Sequence, residues 1–217
     1  MIPVVIPAKP LHRALGRLSD VLDPAGRRAL QAAMLTDVLE ASTALSDSVV
    51  VVTSDPLVAD LARGHGARIA PDSDPPAGIN EAVARGVVAS AARAVLVVMG
   101  DVPGATVEDL RQVAAAGLSA PGVTLAVSRD GTGTNAMLLS PAGVIAPAFG
   151  VGSLERHLAA AAAAAVECTL VTAPGLMLDI DTPEDLAAFA HARVASHTLE
   201  LCDALGLAER LAAGAAG

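Results

Sequence analysis

The sequence predicts an α/β fold, a three-layer arrangement in which a mainly parallel sheet carries helices on both faces. Short apolar runs alternate with segments of helical periodicity from the start of the chain, which is the order of β-α-β units. The apolar runs are continuous rather than alternating, which is typical of strands buried on both faces. No linker, repeat or break in composition divides the 217 residues, so we expect residues 1–217 to form a single domain.

The first half of the chain alternates most regularly. Pro24 follows a long loop and opens a helix in which Leu30, Met34 and Val38 recur at helical spacing. The valine-rich runs have the β-branched composition of strands. We predict strands at residues 2–6, 48–53, 67–70 and 95–99, and helices at residues 24–45, 56–63, 80–92 and 107–116.

The second half is less regular, and its elements are predicted one by one. Residues 123–127 and 136–139 are expected to pair as antiparallel strands, and the alanine-rich segment 154–166 to form a helix. The apolar run 175–178 predicts a further strand. Thr182 and Pro183 then have the residue types of an N-cap and a first helical position. Residues 196–211 are predicted to form a terminal amphipathic helix.

Charge and composition exclude several classes of protein. The formal net charge of −9 argues against a sequence-independent nucleic-acid binder, because such proteins need basic surface to displace counterions. The N-terminus lacks the charged region and cleavage site of a signal peptide, and the uncharged stretch 131–154 is broken by glycine and proline. We therefore expect no membrane segment and a cytoplasmic location. Cys168 and Cys202 have no metal-ligand spacing and are expected to be reduced and buried.

Acidic residues follow two predicted strands. Asp101 follows the run 95–99 after Gly100, and Asp179 and Asp181 follow the run 175–178. Ligands of open α/β sheets gather at the carboxyl ends of strands, and hard carboxylate oxygens suit Mg²⁺, which keeps other positions for water and phosphate. The three aspartates therefore form a candidate Mg²⁺ site. In the alternative interpretation, Asp181 caps the following helix and Asp179 is solvated.

The first loop concentrates positive charge in an otherwise acidic chain. Lys9, Arg13 and Arg17 follow the first predicted strand, where doubly wound folds place phosphate-binding loops. The loop lacks the P-loop and GxGxxG signatures. Lys9 and Arg17 are candidates to hold a triphosphate and stabilise charge that develops on it. An ordinary solvated basic loop is the alternative.

Three further segments are candidate ligand contacts. The turn 131–135 offers flexible backbone and the hydroxyl of Thr134 to an anion, although it also fits a simple hairpin turn. Ser153 is a predicted N-cap at a helix start that can bind an anion. His157, one turn later, could face that anion, with a half-buried polar position on the helix as the alternative. Asn80 has the spacing of a helix N-cap, with a base or ribose contact as the alternative.

Taken in order, these motifs resemble the 2-phospho-L-lactate guanylyltransferase family, which includes the phosphoenolpyruvate guanylyltransferases of coenzyme F-420 biosynthesis. The resemblance runs nearly end to end, and no single motif carries it alone. It rests on residues 6–9, 14, 17–19, 34–35, 37–39, 80 and 82, on the runs 100–103 and 131–135, on Phe149, Gly150, Ser153 and His157, and on residues 179–183.

The resemblance implies a MobA-like nucleotide-diphospho-sugar transferase fold and the transfer of GMP from GTP to a small phosphorylated three-carbon acid, with release of diphosphate. Phosphoenolpyruvate is the expected acceptor, and 2-phospho-L-lactate and 3-phosphoglycerate remain open. Family members often pair as homodimers. The implied roles are Mg²⁺ binding by Asp101, Asp179 and Asp181, acceptor binding by Thr134, Gly150 and Ser153, GTP binding by Lys9, Arg13, Arg17 and Asn80, and catalysis by Lys9, Arg17 and Asp101.

Position 15 departs from the family pattern. Leu15 stands where the family usually has a lysine, and Arg13 is the nearest candidate to replace the missing charge. Losing one cation from a triphosphate site weakens transition-state binding unless another group replaces it. Two alternatives therefore stay open: a diverged nucleotidyltransferase with another acceptor or nucleotide, and a catalytically silent nucleotide-binding protein.

Overall fold

One sheet organises the chain in the computed structural model, which describes residues 2–13, 15–117 and 121–214. Within these residues the sheet has seven strands in the order β3-β2-β1-β4-β6-β5-β7. Every neighbouring pair is parallel except the two that involve β6, so the sheet is mainly parallel as predicted. The strands are β1 (Val4–Pro7), β2 (Val49–Thr53), β3 (Arg68–Pro71), β4 (Val95–Val98), β5 (Gly122–Val127), β6 (Thr134–Ser140) and β7 (Glu167–Val171).

Helices cover both faces of the sheet and complete the three predicted layers. One face packs under α1, α2 and α4, and the other under α3 and α5, because alternate residues of each buried strand point to opposite cores. The neighbours Val4 and Val5, for example, belong to different cores. The helices are α1 (Pro24–Leu45), α2 (Pro56–Gly64), α3 (Ile79–Ser90), α4 (Val107–Gly117), α5 (Ser153–Ala163), α6 (Pro183–Ala192), α7 (His197–Ala204) and α8 (Leu207–Gly214).

A third apolar cluster lies beside the sheet, where the first loop meets the C-terminal helices. Leu18, Met34 and Phe189 are buried in it. The Asp37 carboxylate fixes the start of α7, since it accepts hydrogen bonds from the backbone N–H of His197 at 2.8 Å and from the Thr198 hydroxyl at 2.6 Å. The cluster therefore ties the loop after β1 to the C-terminal part of the chain.

The structure corrects three elements of the sequence prediction. Residues 175–178 do not form a strand: Pro174–Leu176 is a 3₁₀ turn, and the chain then runs as a loop to Thr182. The edge strand β7 was not predicted, because its residues are half-exposed and lack a strong apolar run. The predicted helix 196–211 is divided into α7 and α8 at Gly206, which has a φ of +57° that favours glycine.

Two remaining expectations concern membranes and cysteines. In the part of the chain that the structure describes, no helix is both long and apolar enough to cross a membrane. Cys168 and Cys202 are free thiols, and Cys202 is buried as predicted whereas Cys168 is half-buried.

Candidate active site

The predicted site residues converge on one cavity of about 600 Å³ at the carboxyl ends of the parallel strands. The chain leaves β1 at Pro7 and β4 at Val98 along the same edge of the sheet, so the loops that follow these strands meet there. The wall of the cavity includes eight predicted residues: Lys9, Arg17, Asp101, Thr134, Gly150, Ser153, Asp179 and Asp181.

A smaller cavity of about 180 Å³ adjoins the large one, and Pro7, Lys9 and Ile79 border both. Its walls are mostly apolar, and Arg13 and Asp72 stand at its polar side. Arg13 is therefore near the predicted nucleotide loop but outside the large cavity. Asn80 lies behind both cavities and contributes to neither wall.

The two acidic segments are tied together through their backbones. The N–H of Ile180 donates to the carbonyl oxygen of Asp101 at 2.9 Å, and the Asn135 amide donates to the Asp179 carboxylate at 3.1 Å. The same Asn135 amide also donates to the carbonyl oxygen of Leu176 at 2.9 Å. Asp101 and Asp179 therefore share one wall of the cavity although segment 175–178 is not a strand.

Electrostatics mark Asp101 as the most perturbed carboxylate of the cavity. Burial, followed by the negative charges of Asp179 and Asp181, raises the pKa of Asp101 to about 7, and Lys9 offsets part of this rise. Burial also raises the pKa of Asp179, with Asn135 opposing the shift. The Oδ1 atom of Asp101 is shut off from water and has no hydrogen-bond partner among the residues that the structure describes. Such an arrangement is costly unless a cation completes it.

The donor set fits Mg²⁺ in type, but the protein does not provide a complete cage. Across residues 2–13, 15–117 and 121–214, no three His, Cys, Asp or Glu side chains are gathered closely enough to hold a metal by themselves. Mg²⁺ commonly takes one or two carboxylates and completes its shell with water and substrate phosphates. The orphaned Oδ1 of Asp101 and the neighbouring carboxylate of Asp179 match that incomplete kind of site.

Positive charge faces the aspartates from two sides of the cavity. Lys9, the only lysine in the sequence, is exposed at the end of β1. Arg17 lies 3.9 Å from Asp181, and Arg129, which follows β5, lies 3.3 Å from Asp185. Both arginine side chains are more than half exposed, so these pairs contribute little to stability and are free to exchange partners.

Arg129 is a functional candidate that the sequence does not single out, and Asn135 has a role in the site that its predicted turn does not indicate. Arg129 follows a strand end, as Lys9 and Asp101 do, and that position was the available signal. Asn135 belongs to the turn 131–135, but its link to Asp179 spans 44 residues and has no signal in the sequence.

Leu15 has a different environment from the cations of its loop. Its side chain is 9% exposed and packs in the third cluster with Leu18 and Ile180, while one side borders the large cavity. Its φ of +56° is left-handed, which is unusual for leucine. The Leu15 side chain therefore adds buried apolar surface at a position where the family usually has a charged lysine.

Thr134 and Ser153 are two buried residues with hydroxyl groups that also line the large cavity. The Thr134 N–H donates to Ser153 Oγ at 2.9 Å, and Thr134 Oγ1 lies 3.1 Å from His157 Nδ1. Ser153 is the first residue of α5 rather than its cap, since Gly152 occupies the N-cap position. His157 does not face the cavity as expected: it is fully buried behind Thr134.

Asn80 clamps the loop that precedes α5. Its amide donates to the carbonyl oxygen of Phe149 at 3.2 Å and accepts from the N–H of Phe149 at 2.6 Å. The N-cap of α3 is Gly78, so the predicted capping role of Asn80 is wrong. Its predicted contact with the nucleotide stays a prediction, and in this structure the amide binds the backbone of Phe149, the residue before Gly150.

The helix after the second acidic segment begins as predicted. Thr182 is the N-cap of α6, and its hydroxyl accepts from the N–H of Asp185 at 3.2 Å while the Asp185 carboxylate binds back to the Thr182 N–H. The cap is thus Thr182 rather than Asp181, which leaves the exposed Asp181 carboxylate at the cavity. The structure therefore excludes the alternative role of Asp181 as the cap of this helix.

Solved structures of nucleotide-handling transferases share the fold at low sequence identity. A structure from Desulfovibrio desulfuricans G20 assigned to the nucleotide-diphospho-sugar transferases has a TM-score of 0.72 at 16% identity, over 94% of this chain and 97% of that one. A nucleotidyl transferase from Methanothermobacter thermautotroptrophicus has a TM-score of 0.64 at 19% identity, over 92% and 98% of the chains. The likeness confirms the predicted nucleotide-diphospho-sugar transferase fold.

Relatives by sequence match most of the chain. The phosphoenolpyruvate guanylyltransferase of Conexibacter woesei is 38% identical over 190 residues, 85% of each chain. That of Sphaerobacter thermophilus is 37% identical over 202 residues, 90% of this chain and 96% of the relative. A family model described as guanylyl transferase CofC like matches residues 2–215. The chain belongs to this family of CofC-like guanylyl transferases.

Proposed function

We propose that this protein transfers GMP from GTP to phosphoenolpyruvate, with release of diphosphate, in a reaction that depends on Mg²⁺. The observation that carries the proposal is the single cavity that Asp101 and Asp179 share with Thr134 and Ser153. The two aspartates suit a metal-bound triphosphate, and the two hydroxyls suit an anionic acceptor. The names of the relatives support the choice of nucleotide and acceptor.

The chemistry needs two anions held in line rather than a covalent intermediate. The acceptor phosphate attacks the α-phosphorus of GTP, the new phosphoanhydride bond forms, and diphosphate leaves with the electron pair of the broken bond. Holding both reactants in this geometry makes the step effectively unimolecular. A phosphomonoester is largely ionised near neutral pH, so the attack needs no general base from the protein.

The residues divide into three roles in this proposal. Lys9 and Arg17 bind the triphosphate and stabilise charge on the leaving diphosphate. Asp101 and Asp179 would hold Mg²⁺, which when bound offsets negative charge on the phosphates, and the predicted contribution of the exposed Asp181 stays a prediction. Thr134, Ser153 and the backbone at Gly150 bind the acceptor, where buried hydroxyls favour an anion over water.

The small cavity is the proposed place of the nucleotide base. Its apolar walls at Pro7 and Ile79 suit the faces of a purine, and it opens beside Lys9 into the large cavity. Asp72 stands at its rim, where a carboxylate can accept from the N–H groups of guanine. The triphosphate would then extend from this slot toward the aspartates. Arg13 is close enough to the slot to contact the nucleotide there.

The direct test is diphosphate release from GTP and Mg²⁺, with phosphoenolpyruvate, 2-phospho-L-lactate and 3-phosphoglycerate supplied separately. We expect release with GTP and phosphoenolpyruvate, and none with ATP or CTP. The Asp101→Asn variant is the inactive control, and product mass identifies the new phosphoanhydride. Turnover with a different acceptor would replace phosphoenolpyruvate in the proposal, and GTP binding without any turnover would show a silent nucleotide-binding protein. The predicted homodimer and cytoplasmic location stay predictions.

A further inference from the structure

We infer that His157 is a positioning residue for the acceptor: its Nδ1–H donates to Thr134 Oγ1 and leaves the Thr134 hydroxyl hydrogen to bind an anionic oxygen in the large cavity. The inference rests on the proposed function, since it takes the acceptor to lie against Thr134. His157 itself is fully buried and is not among the residues that line the large cavity. It acts through Thr134 alone.

The hydrogen bonds of the imidazole fix its tautomer. The backbone N–H of Ala148 donates to His157 Nε2 at 2.9 Å, and a nitrogen that accepts a hydrogen bond carries no hydrogen. The ring is neutral, because burial and the nearby Arg156 charge lower the pKa of His157 to about 4. A neutral imidazole with a bare Nε2 carries its one hydrogen on Nδ1, 3.1 Å from Thr134 Oγ1.

This tautomer decides what the Thr134 hydroxyl can do. Its oxygen accepts from His157, so its own hydrogen points elsewhere. Ser153 Oγ accepts from the Thr134 N–H at 2.9 Å in the same way. In the part of the chain that the structure describes, neither hydroxyl hydrogen is given an acceptor, and both residues border the cavity. The wall therefore offers two O–H donors side by side.

The ring is held against rotation on its other sides as well. Phe149 packs edge-on against the imidazole, with ring centroids 4.8 Å apart and planes at 74°. The Asn80 amide hydrogen-bonds both the N–H and the carbonyl oxygen of Phe149. These bonds hold the neighbouring Ala148 N–H in place to donate to His157 Nε2. A ring flip would lose both hydrogen bonds of the imidazole at once, so one orientation is kept.

The two hydroxyl hydrogens of Thr134 and Ser153 favour a ligand that presents negatively charged oxygens. Phosphate and carboxylate oxygens accept from both hydroxyls, and such charge-assisted hydrogen bonds are the stronger kind. A ligand that presents an O–H or N–H at this place would find only the second lone pair of each hydroxyl oxygen, in a neutral and therefore weaker hydrogen bond. His157 therefore contributes to the preference for an ionised acceptor without contacting it.

Two amide substitutions separate this role from simple packing. His157→Asn keeps a donor near the place of Nδ1 and loses the acceptor for Ala148, whereas His157→Gln keeps an acceptor near Nε2 and loses the donor to Thr134. We expect the KM for phosphoenolpyruvate to rise about 10-fold or more in His157→Gln, as for one lost hydrogen bond to a charged group, and the KM for GTP to stay unchanged. His157→Asn should retain most of the affinity. A larger loss in His157→Asn than in His157→Gln would overturn the inference.

A double-mutant cycle with Thr134→Val tests whether the effect passes through the hydroxyl. Thr134→Val alone should raise the KM for phosphoenolpyruvate at least as much as His157→Gln does. In the Thr134→Val background, His157→Gln should add less than about a twofold change, since the coupled pair is already broken. Additive effects would show that His157 acts on the loop at 148–150 rather than on Thr134.

Nuclear magnetic resonance of the wild-type protein tests the tautomer without a variant and without turnover. Long-range ¹⁵N–¹H correlations of the His157 ring should show a protonated Nδ1 and a bare Nε2 near neutral pH. A protonated Nε2 would refute the inference even in an active enzyme. Conversely, the expected tautomer together with no guanylyl transfer would refute the proposed function but not the tautomer. Calorimetry with phosphoenolpyruvate would then measure the effect of His157→Gln on binding without turnover.

Discussion

The backbone N–H of Ile180 donates to the carbonyl oxygen of Asp101 at 2.9 Å, and this bond joins the two acidic segments of the cavity. Next to it, Gly175 packs against Gly104 so closely that a Cβ at position 175 would overlap the Gly104 carbonyl oxygen and the Asp109 carboxylate. The relative position of Asp101 and Asp179 therefore depends on backbone contact between the segments, and several properties can be tested from it.

Gly175→Ala is expected to destabilise the protein by about 1–3 kcal/mol, the usual cost of inserting a methyl group where backbone must shift. Because the shift separates the segments that carry Asp101 and Asp179, kcat should fall more than the KM for either substrate rises. Urea unfolding and steady-state kinetics measure the two effects. Gly64→Ala is the matched control, since a Cβ there meets nothing within 4 Å. Equal behaviour of the two variants would contradict the packing argument.

Asp101→Asn should separate metal binding from folding. Removing a carboxylate whose charge is disfavoured by burial and by Asp179 and Asp181 is expected to raise the free energy of unfolding by about 1 kcal/mol in metal-free buffer above pH 7, where Asp101 is ionised. Millimolar Mg²⁺ should raise the melting temperature of the wild-type protein and leave that of Asp101→Asn unchanged, because only a ligand that binds the folded state stabilises it. Asp181→Asn, at an exposed carboxylate, should not change metal-free stability. A Mg²⁺ response retained in Asp101→Asn would rule out Asp101 as a ligand.

Lys9 offers a chemical test of nucleotide binding, since it is the only lysine of the sequence and its side chain is exposed. GTP with Mg²⁺ should slow acetylation of Lys9 several-fold, because the triphosphate covers the ammonium group. Peptide mass spectrometry follows the modification directly. ATP and inorganic phosphate at matched ionic strength are the controls. Equal protection by ATP would show that nucleotide binding at Lys9 does not discriminate guanine from adenine.

His157 should make stability depend on pH in a defined direction. Its pKa is about 4 in the folded protein against 6.5 for the free side chain, so between these values the unfolded chain binds a proton that the folded chain does not. Its contribution to stability is therefore present above pH 6.5 and is lost as pH falls toward 4. Wild type should lose about 2 kcal/mol more than His157→Gln between pH 7 and pH 5 in urea unfolding. Parallel losses in both proteins would refute this assignment.

Leu15→Lys tests whether the unusual residue limits nucleotide binding. Leu15 borders the cavity on one side, so the stem of a lysine can keep most of the apolar contacts while its ammonium reaches the triphosphate. We expect a several-fold lower KM for GTP and a loss of stability of about 1 kcal/mol. Leu15→Met, with a similar stem and no charge, is the control. A large loss of stability without any gain in GTP affinity would show that position 15 serves only the core.

Much of the fold could be predicted because its signals are local. Each buried valine run predicts its own strand, and Pro24 and Thr182 start their helices through neighbouring residues. Local signals do not predict the edge strand β7, because this half-exposed strand is stabilised by pairing with β5 rather than by its own composition. The loop at 175–178 differs from the predicted strand, since Leu176 packs in one core and Leu178 against another, and the segment itself defines neither core.

The sequence by itself determined that Asp101 follows a buried strand, that Lys9 and Arg17 share a cationic loop, and that Thr134 and Ser153 begin or precede regular elements. Tertiary structure alone decided that these residues face one cavity, that Leu15 is buried, that Arg129 joins the site and that His157 stands behind Thr134. The reason is physical: residue type and spacing act over a few positions of chain. The tautomer of His157, the burial of Asp101 and the link from Asn135 to Asp179 arise only where segments distant in sequence exclude water between them.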